Sequence, residues 1–405
     1  MKIGISGGWG YGNLGDDAIL AALSNLLDEV APHADHRVFA YDVDEMSKYA
    51  QLIKRVTFHS SFHADIDFGS SRGMYRSVYA PVSDSGSFRR ALFYGRKRLA
   101  DCYGSELMAS VRHRKLAVSL EDLDLFVLGG GGYFNEFWWS SAVAHLCELE
   151  CVAKRGIPFV VAGPTFGVFK NASFKRRLSA VLRKSKAIFV RDEPSLADLH
   201  ALGVDAQVIP DIALTSFTRY AASQPQRKIG IVLTTTDERI LDTMVAAIAA
   251  VSREQPDLQF GLHLTRLWQH DLHSISGLQK RLTKFGIDAT IHIPNSYTEL
   301  ETRLAECSAV VSQNLHGLIL ATRNCVPVVT VNDWAKDSAH DRKFSAFVRQ
   351  IGGEKSVVNS HSKPIDVAEM IRLAIAVPEA QRRALSGFCE GVRGQALNFF
   401  RIALQ

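Results

Sequence analysis

Residues 312–317 read Ser-Gln-Asn-Leu-His-Gly, and a nearly continuous apolar run, "LILATRNCVPVVTV", follows. The preceding "AVVSQN" has the pattern of a buried strand, so His316 falls at the carboxyl end of a strand and in the first turn of the next helix. A helix start lowers an imidazole's pKa, which bears on any role as a proton donor near neutrality. The plainer alternative is a histidine satisfied within the core or at the surface. Asn314, two residues earlier, and Ser312 and Leu315 beside it belong to the same candidate site.

Four other loops lie where strands stop. Gly7-Gly8-Trp9-Gly10-Tyr11-Gly12-Asn13-Leu14-Gly15-Asp16-Asp17 joins the first strand to its helix. Free backbone N–H groups and the helix dipole favour an anion there, and Gly12 and Asn13 allow close approach. Two acids open the helix, so this is no dinucleotide fingerprint. Asp16 and Asp17 either face a ligand or simply stabilise the helix start. Gly129–Gly132 precede Tyr133, Phe134, Asn135 and Glu136. Four glycines are more than a turn needs, which points to a ligand or a neighbouring domain coming close to Gly130 and Gly131. Gly163-Pro164-Thr165-Phe166-Gly167 is a weaker signal of the same kind. Arg191, in Val190-Arg191-Asp192-Glu193, stands where an apolar strand ends. Its fork of donors suits a carboxylate or phosphate, or an ion pair with Asp192, Glu193 or Asp211.

These loops are positioned by alternating elements. Strand and helix patterns succeed one another from residue 2 to about 215 and restart at "KIGIVLT" after a polar patch at 223–228. Such alternation predicts parallel sheets covered by helices on both faces. The expected organisation is an α/β chain of two Rossmann-like domains facing a cleft. Residues 1–222 form the first, with an irregular insertion at about 60–115; residues 228–376 form the second, and 377–405 a C-terminal helix. Ligands of open α/β sheets sit at the carboxyl ends of strands.

With 405 residues, 47% of them hydrophobic and 22% charged, the chain is globular and can bury a large core. The net charge of +5 suits an anionic small molecule or membrane surface and does not single out nucleic acid. None of the six cysteines is spaced as CxxC, and neither His59 with His63 nor His263, His270 and His273 has an acidic or cysteine partner to complete a metal set. No metal and no cofactor are expected. No run of about 18 uncharged apolar residues exists to span a membrane, and "MKIGISGG" enters the fold directly, so a cytoplasmic location is expected. Arg89, Arg90, Arg96, Lys97, Arg98, Arg112, Arg114 and Lys115 alternate with Phe88, Leu92, Phe93, Tyr94 and Leu99, either as a solvated face or as a peripheral contact with lipid head groups.

Taken in order, "GYGNLGDDAIL", "LGGGGYF", "GPTFG", "VRDEPS", "PDIAL" and "SQNLHGLILATRNCVPVVTV" resemble the polysaccharide pyruvyl transferases over most of the chain. The resemblance implies a GT-B-like architecture. It also implies transfer of a pyruvyl group from phosphoenolpyruvate, as co-substrate, to a hydroxyl of a saccharide or lipid-linked saccharide acceptor, commonly as a ketal. His316 matches the family's histidine, which supplies the acid for the methylene carbon, and Arg191 matches its cleft arginine. The base is left among Asp16, Asp17 and Glu136. The family's Arg-Leu-His reads Asn-Leu-His here, so a charge-assisted donor contact of about 1.5–3 kcal/mol is missing at position 314. Arg323, Lys336, Arg342 and Lys343 are the cations able to reach in, Arg323 being equally placed to be a surface charge. The competing readings are a nucleotide-sugar glycosyltransferase of similar architecture and a non-catalytic saccharide-binding relative. The oligomeric state is left open.

Overall fold

The computed structural model describes residues 1–61, 119–216 and 227–405, apart from Leu52, Lys54, Phe137, Val168 and Thr236. Lys2–Ser6 (β1), Leu125–Leu128 (β4), Phe159–Ala162 (β6) and Ala187–Val190 (β8) are short apolar runs buried almost throughout, as the middle strands of a sheet covered on both faces must be. With Asp35–Ala40 (β2), Val56–Ser60 (β3) and Gln207–Val208 (β9) they form a parallel sheet of order β3-β2-β1-β4-β6-β8-β9. Gly131–Phe134 (β5) and Pro164–Phe166 (β7) pair in a separate two-stranded ribbon.

A second parallel sheet runs β12-β11-β10-β13-β14-β15. Its strands are Lys228–Val232 (β10), Gln259–His263 (β11), Ala289–His292 (β12), Ala309–Ser312 (β13), Val328–Val331 (β14) and Val357–Val358 (β15). In each sheet the strand order reverses beside the first strand, between β1 and β4 and between β10 and β13, and ligand crevices open at such reversals. The chain is thus α/β with two Rossmann-like units.

Helices join the strands. Those of the first unit are Leu14–Val30 (α1), Val43–Ser47 (α2), Trp139–Lys154 (α3), Ala172–Leu182 (α4) and Glu193–Ala201 (α5). Those of the second are Glu238–Glu254 (α6), Gln269–Lys284 (α7), Tyr297–Ala305 (α8), Leu315–Arg323 (α9), Ala339–Gln350 (α10) and Pro364–Ile375 (α11). Glu379–Leu404 (α12) returns to the first unit. Phe399 and Phe400 pack edge-on to Phe189, with ring centroids 4.8 and 6.3 Å away, and Arg393 pairs with Glu29 of α1.

Three expected strands are shorter than their apolar runs. "DLDLFVLGGGGYF" divides into β4 and β5 at its glycines, and "PFVVAGPTFG" divides at Gly163, whose φ of +85° no strand tolerates. "AQVIPDIAL" holds only the two residues of β9. Pro210 cannot donate to a ladder, and the Asp211 carboxylate accepts from Ala213 N at 3.0 Å, capping a 3₁₀ turn at Ile212–Thr215. The insertion at about 60–115, with its basic stretch, His63 and Cys102, and most of the polar linker lie outside the described residues. No helix among the described residues is long and apolar enough to cross a membrane.

Under the end of β1 lies a buried carboxyl with no Lys or Arg partner among the described residues. Glu148 accepts from Ser6 Oγ at 2.7 Å and lies 3.2 Å from His145 Nδ1. Burial pushes Glu148 up from 4.5 to about 8 and His145 down to about 3. Between pH 4.5 and 8 Glu148 therefore holds in the folded chain the proton it releases in the unfolded one, and its contribution to stability falls as pH rises through that window, while the lowered His145 contributes the opposite slope below about 6.5. Glu148→Gln removes the first of these slopes. Denaturant midpoints should show the variant stabilised by about 3 kcal/mol at pH 7, with the gain gone by pH 4.5. A gain independent of pH would show that the carboxyl is not held protonated.

Candidate active site

The turn after β1 carries Asp16 into the space between the two units. Asn13 caps α1, its Oδ1 accepting from Gly15 N at 3.3 Å, while its Nδ2 donates to Asp16 Oδ2 at 2.7 Å. The Tyr11 hydroxyl donates to the same oxygen. Asp16 Oδ1 is left facing His316 Nε2 at 3.7 Å. Asp17 points elsewhere because consecutive residues on a helix are about 100° apart. It accepts from Gly10 N at 3.2 Å and from the Tyr49 hydroxyl at 3.1 Å, within its own unit. Burial raises both acids, Asp16 to about 6 and Asp17 to about 7, the Glu45 charge adding to the latter.

His316 comes from the other unit. β13 delivers it to the first turn of α9, and Asn314 fixes that turn: its Oδ1 accepts from His316 N at 2.9 Å and Gly317 N at 3.4 Å. Such a cap contributes about 1 kcal/mol, and an arginine at 314 could not make it. Ser312 Oγ supports the same turn, accepting from Asn314 N at 3.0 Å and donating to Asn314 O at 2.8 Å. The imidazole lies against α1 at Gly15, where any Cβ would overlap the ring. It is 8% exposed, and its Nε2 is buried without a hydrogen-bond partner among the described residues. Burial lowers its pKa to about 3; the Asp211 charge opposes this, and Arg191 and Lys343 add to it.

Three cations converge on the same space. Arg191, at the end of β8, donates through Nε to Thr165 Oγ1 at 2.7 Å and through Nη1 to Asp211 Oδ2 at 2.6 Å. Its Nη2 lies where a Cβ on Gly132 would be 3.6 Å away, and Lys343 Nζ approaches the same point at 3.9 Å. Nη1 thus makes the ion pair with Asp211, while Nη2 is turned toward the cleft. Lys343 sits on the first turns of α10. Burial lowers its ammonium to about 7, and the Arg191 charge adds to that. Arg266, after β11, is gripped by the buried Asp271 at 2.6 and 2.9 Å and lies over the Trp268 ring at 4.6 Å. Sequence reasoning passed over Arg266 because "HLTRLW" has no strand-end glycine or histidine to mark it.

The remaining cations do not line the cleft. Lys336 is exposed on the loop before α10, and Arg342 is bound to Asp198 at 2.7 Å and Pro194 O at 3.0 Å. Arg323 is buried, paired with Glu301 and donating to Ala213 O at 3.0 Å, so it is not a surface charge. Of the four glycines at 129–132 only Gly132 lines the cleft; Gly130 packs on Gly163 and Ile19, and Gly131 sits under the Tyr133 ring. The Glu136 carboxylate turns outward and accepts from Lys170 N. Leu315 and Asn314 line the cleft beside His316. Among the described residues no three His, Cys, Asp or Glu side chains converge as a metal site, and His263 instead stacks on His292 at 4.9 Å.

The two units are tied together across this space. Leu14 N donates to Thr265 O at 3.0 Å, Leu267 N to Gly12 O at 2.9 Å, and Trp268 Nε1 to Tyr11 O at 3.2 Å. Gln350 Nε2, from α10, reaches Arg191 O at 2.9 Å. The result is a cleft open to solvent, with a wall from each unit.

Two Rossmann-like units with a site at their facing strand ends define the GT-B architecture, and solved structures of that architecture are similar to this chain. The UDP-GlcNAc 2-epimerase of Neisseria meningitidis bound to UDP-GlcNAc is 11% identical with a TM-score of 0.55, covering 98% of this chain and 100% of its own. A putative UDP-N-acetylglucosamine 2-epimerase from Listeria monocytogenes is 11% identical with a TM-score of 0.54, covering 95% and 91%. The UDP-GlcNAc 2-epimerase of Methanocaldococcus jannaschii is 12% identical with a TM-score of 0.53, covering 93% and 92%. At such identities the likeness concerns fold. A search of curated proteins found no match. The family model for polysaccharide pyruvyl transferase matches residues 13–333, and the chain belongs to that transferase family.

Proposed function

We propose that the chain transfers a pyruvyl group from phosphoenolpyruvate to a saccharide hydroxyl, closing a ketal where a second hydroxyl is in reach. The observation that carries this reading is the convergence of Arg191, Lys343 and Arg266 beside a buried imidazole nitrogen that has no hydrogen-bond partner among the described residues. Cations hold the donor's carboxylate and phosphate. Arg266 supplies the charge that Asn314 does not. His316 protonates the methylene carbon, making it a methyl group and its neighbour an electrophile. The first acceptor oxygen attacks that neighbour as its proton passes to Asp16; phosphate then leaves as the oxygen of a second acceptor hydroxyl replaces it, and that hydroxyl's proton goes to the now neutral His316. Of Asp16, Asp17 and Glu136, Asp16 alone lines the cleft, and a carboxyl titrating near 6 is ionised often enough at pH 7 to serve as a base. The donor carries its own leaving group, so the step as written uses no cofactor.

Free His316 is neutral at pH 7, and the donor's negative charge is what makes it an acid. Anions beside Arg191 and Lys343 offset the repulsion that helps hold the imidazolium and the ammonium down. Lys343, titrating near 7 in the free site, then gains most of a proton on binding, and the pKa of His316 rises. Calorimetry at pH 8 in buffers of different ionisation enthalpy should show saturable phosphoenolpyruvate binding with uptake of about one proton.

Arg191→Ala should weaken binding by roughly tenfold to a hundredfold, and Arg191→Lys, which keeps a charge beside Asp211, by less. Absence of binding at millimolar donor sinks the reading. Saturable binding of a nucleoside diphosphate instead would favour the nucleotide-sugar alternative.

A further inference from the structure

Arg191 and Lys343 approach Gly132 on one wall of the cleft, Asp16 and His316 stand together beside them, and Arg266 lies over the Trp268 ring. Beyond Asp16 lies Tyr11, whose ring is 5.4 Å from that of Tyr41 and 6.0 Å from that of Trp268, tilted by 51° and 36°. All three rings line the cleft and are only half-buried. Nothing in the donor chemistry calls for them, because a small trianion needs charge and hydrogen bonds rather than ring faces.

We propose that Tyr11, Tyr41 and Trp268 are the platform on which a hexopyranose of the acceptor stacks. This rests on the transferase reading above and adds the chemical class and place of the second substrate. A pyranose has a face of C–H groups and a rim of hydroxyls. Aromatic faces carry negative potential and meet such C–H faces favourably, while the rim is left free for hydrogen bonds.

The rings are also held in place in advance. The indole Nε1 of Trp268 donates to Tyr11 O at 3.2 Å, the Arg266 guanidinium lies over the indole, and the Tyr41 hydroxyl is 3.3 Å from Ser141 Oγ. Stiff rings lose little freedom when a ligand arrives. Because the Tyr11 hydroxyl donates to Asp16, a sugar lying on this ring presents its rim to the oxygens of that carboxylate. The platform also spans both units, with Tyr11 and Tyr41 on one and Trp268 on the other. It is complete only while the units stay joined, as they are here by the bonds from Leu14 N to Thr265 O and from Leu267 N to Gly12 O.

The test is saturation-transfer NMR on the full chain with methyl glucoside, galactoside and mannoside at tens of millimolar, together with calorimetry of phosphoenolpyruvate. At least one glycoside should receive saturation, strongest at the ring protons of one face. Tyr41→Ala and Trp268→Ala should each weaken it about tenfold, and Trp268→Phe, which keeps a ring, by less. No transfer to any of the three glycosides, or transfer unchanged in both alanine variants, overturns the proposal. The two readings fail separately. Glycoside binding that depends on the rings, without phosphoenolpyruvate binding, leaves the platform standing and removes the donor. Phosphoenolpyruvate binding without ring-dependent glycoside binding does the reverse.

Discussion

Replacing His316 by alanine should lower turnover of phosphoenolpyruvate with a saccharide acceptor by about 10²–10⁴-fold, the range a positioned general acid supplies. Donor affinity should change far less than in Arg191→Ala, because the imidazole is neutral in the free site and the cations do the holding. Two observations set the size of the effect. Nε2 is buried with no hydrogen-bond partner among the described residues, and an acid, Asp16, stands 3.7 Å from it. The pH dependence has a definite sign: activity falls as pH rises through the pKa that His316 has in the donor complex, because the protonated form is the one that reacts. Turnover unchanged in His316→Ala would remove the proposed acid and with it the mechanism.

Gly15→Ala should be nearly as damaging, for a reason that has nothing to do with chemistry at residue 15. In an isolated helix the change is favourable by about 1 kcal/mol, so α1 and its unit should fold at least as well as before. Yet the new methyl group would occupy the space of the His316 ring, which reaches α1 from the other unit. Either the ring is displaced from Asp16 or the units part. Turnover should fall by at least about a hundredfold. The double variant Gly15→Ala with His316→Gly should be no slower than His316→Gly alone, since the three atoms nearest the new methyl all belong to the His316 side chain. Additive losses would show that Gly15 acts by another route, and full activity in the single variant would show that the contact is not part of the working site.

Much of the scaffold was legible because its strands are buried on both faces and so are written as unbroken apolar runs. β1, β4, β8, β10 and β13 could be placed that way, and the loops after them followed from the rule that parallel sheets bind ligands at their carboxyl ends. That was enough to single out His316 and Arg191, which stand where such runs stop. Two glycine-rich runs were placed correctly at strand ends, but their number was misleading. Gly130 and Gly131 are small because their own unit packs against them, and only Gly132 lies open to the cleft.

The rest depended on contacts between residues hundreds of positions apart. Asp16 and Asp17 are chemically alike, and only the rotation of α1 turns one to His316 and the other to Tyr49. Asn314 was read as a missing charge; the backbone of α9 uses it as a cap, and a guanidinium enters from Arg266 after β11. Arg266, Trp268 and Tyr41 carry no motif, since their relevance comes from one unit docking on the other. By itself the sequence determined the elements, their alternation and the strand ends, because local hydrophobic pattern and turn chemistry are read along the chain. Which strand-end groups meet was decided by tertiary structure alone, because the angle and closeness of two packed units are set by shape complementarity across their interface, as at Gly15 and His316, and no single stretch of residues contains it.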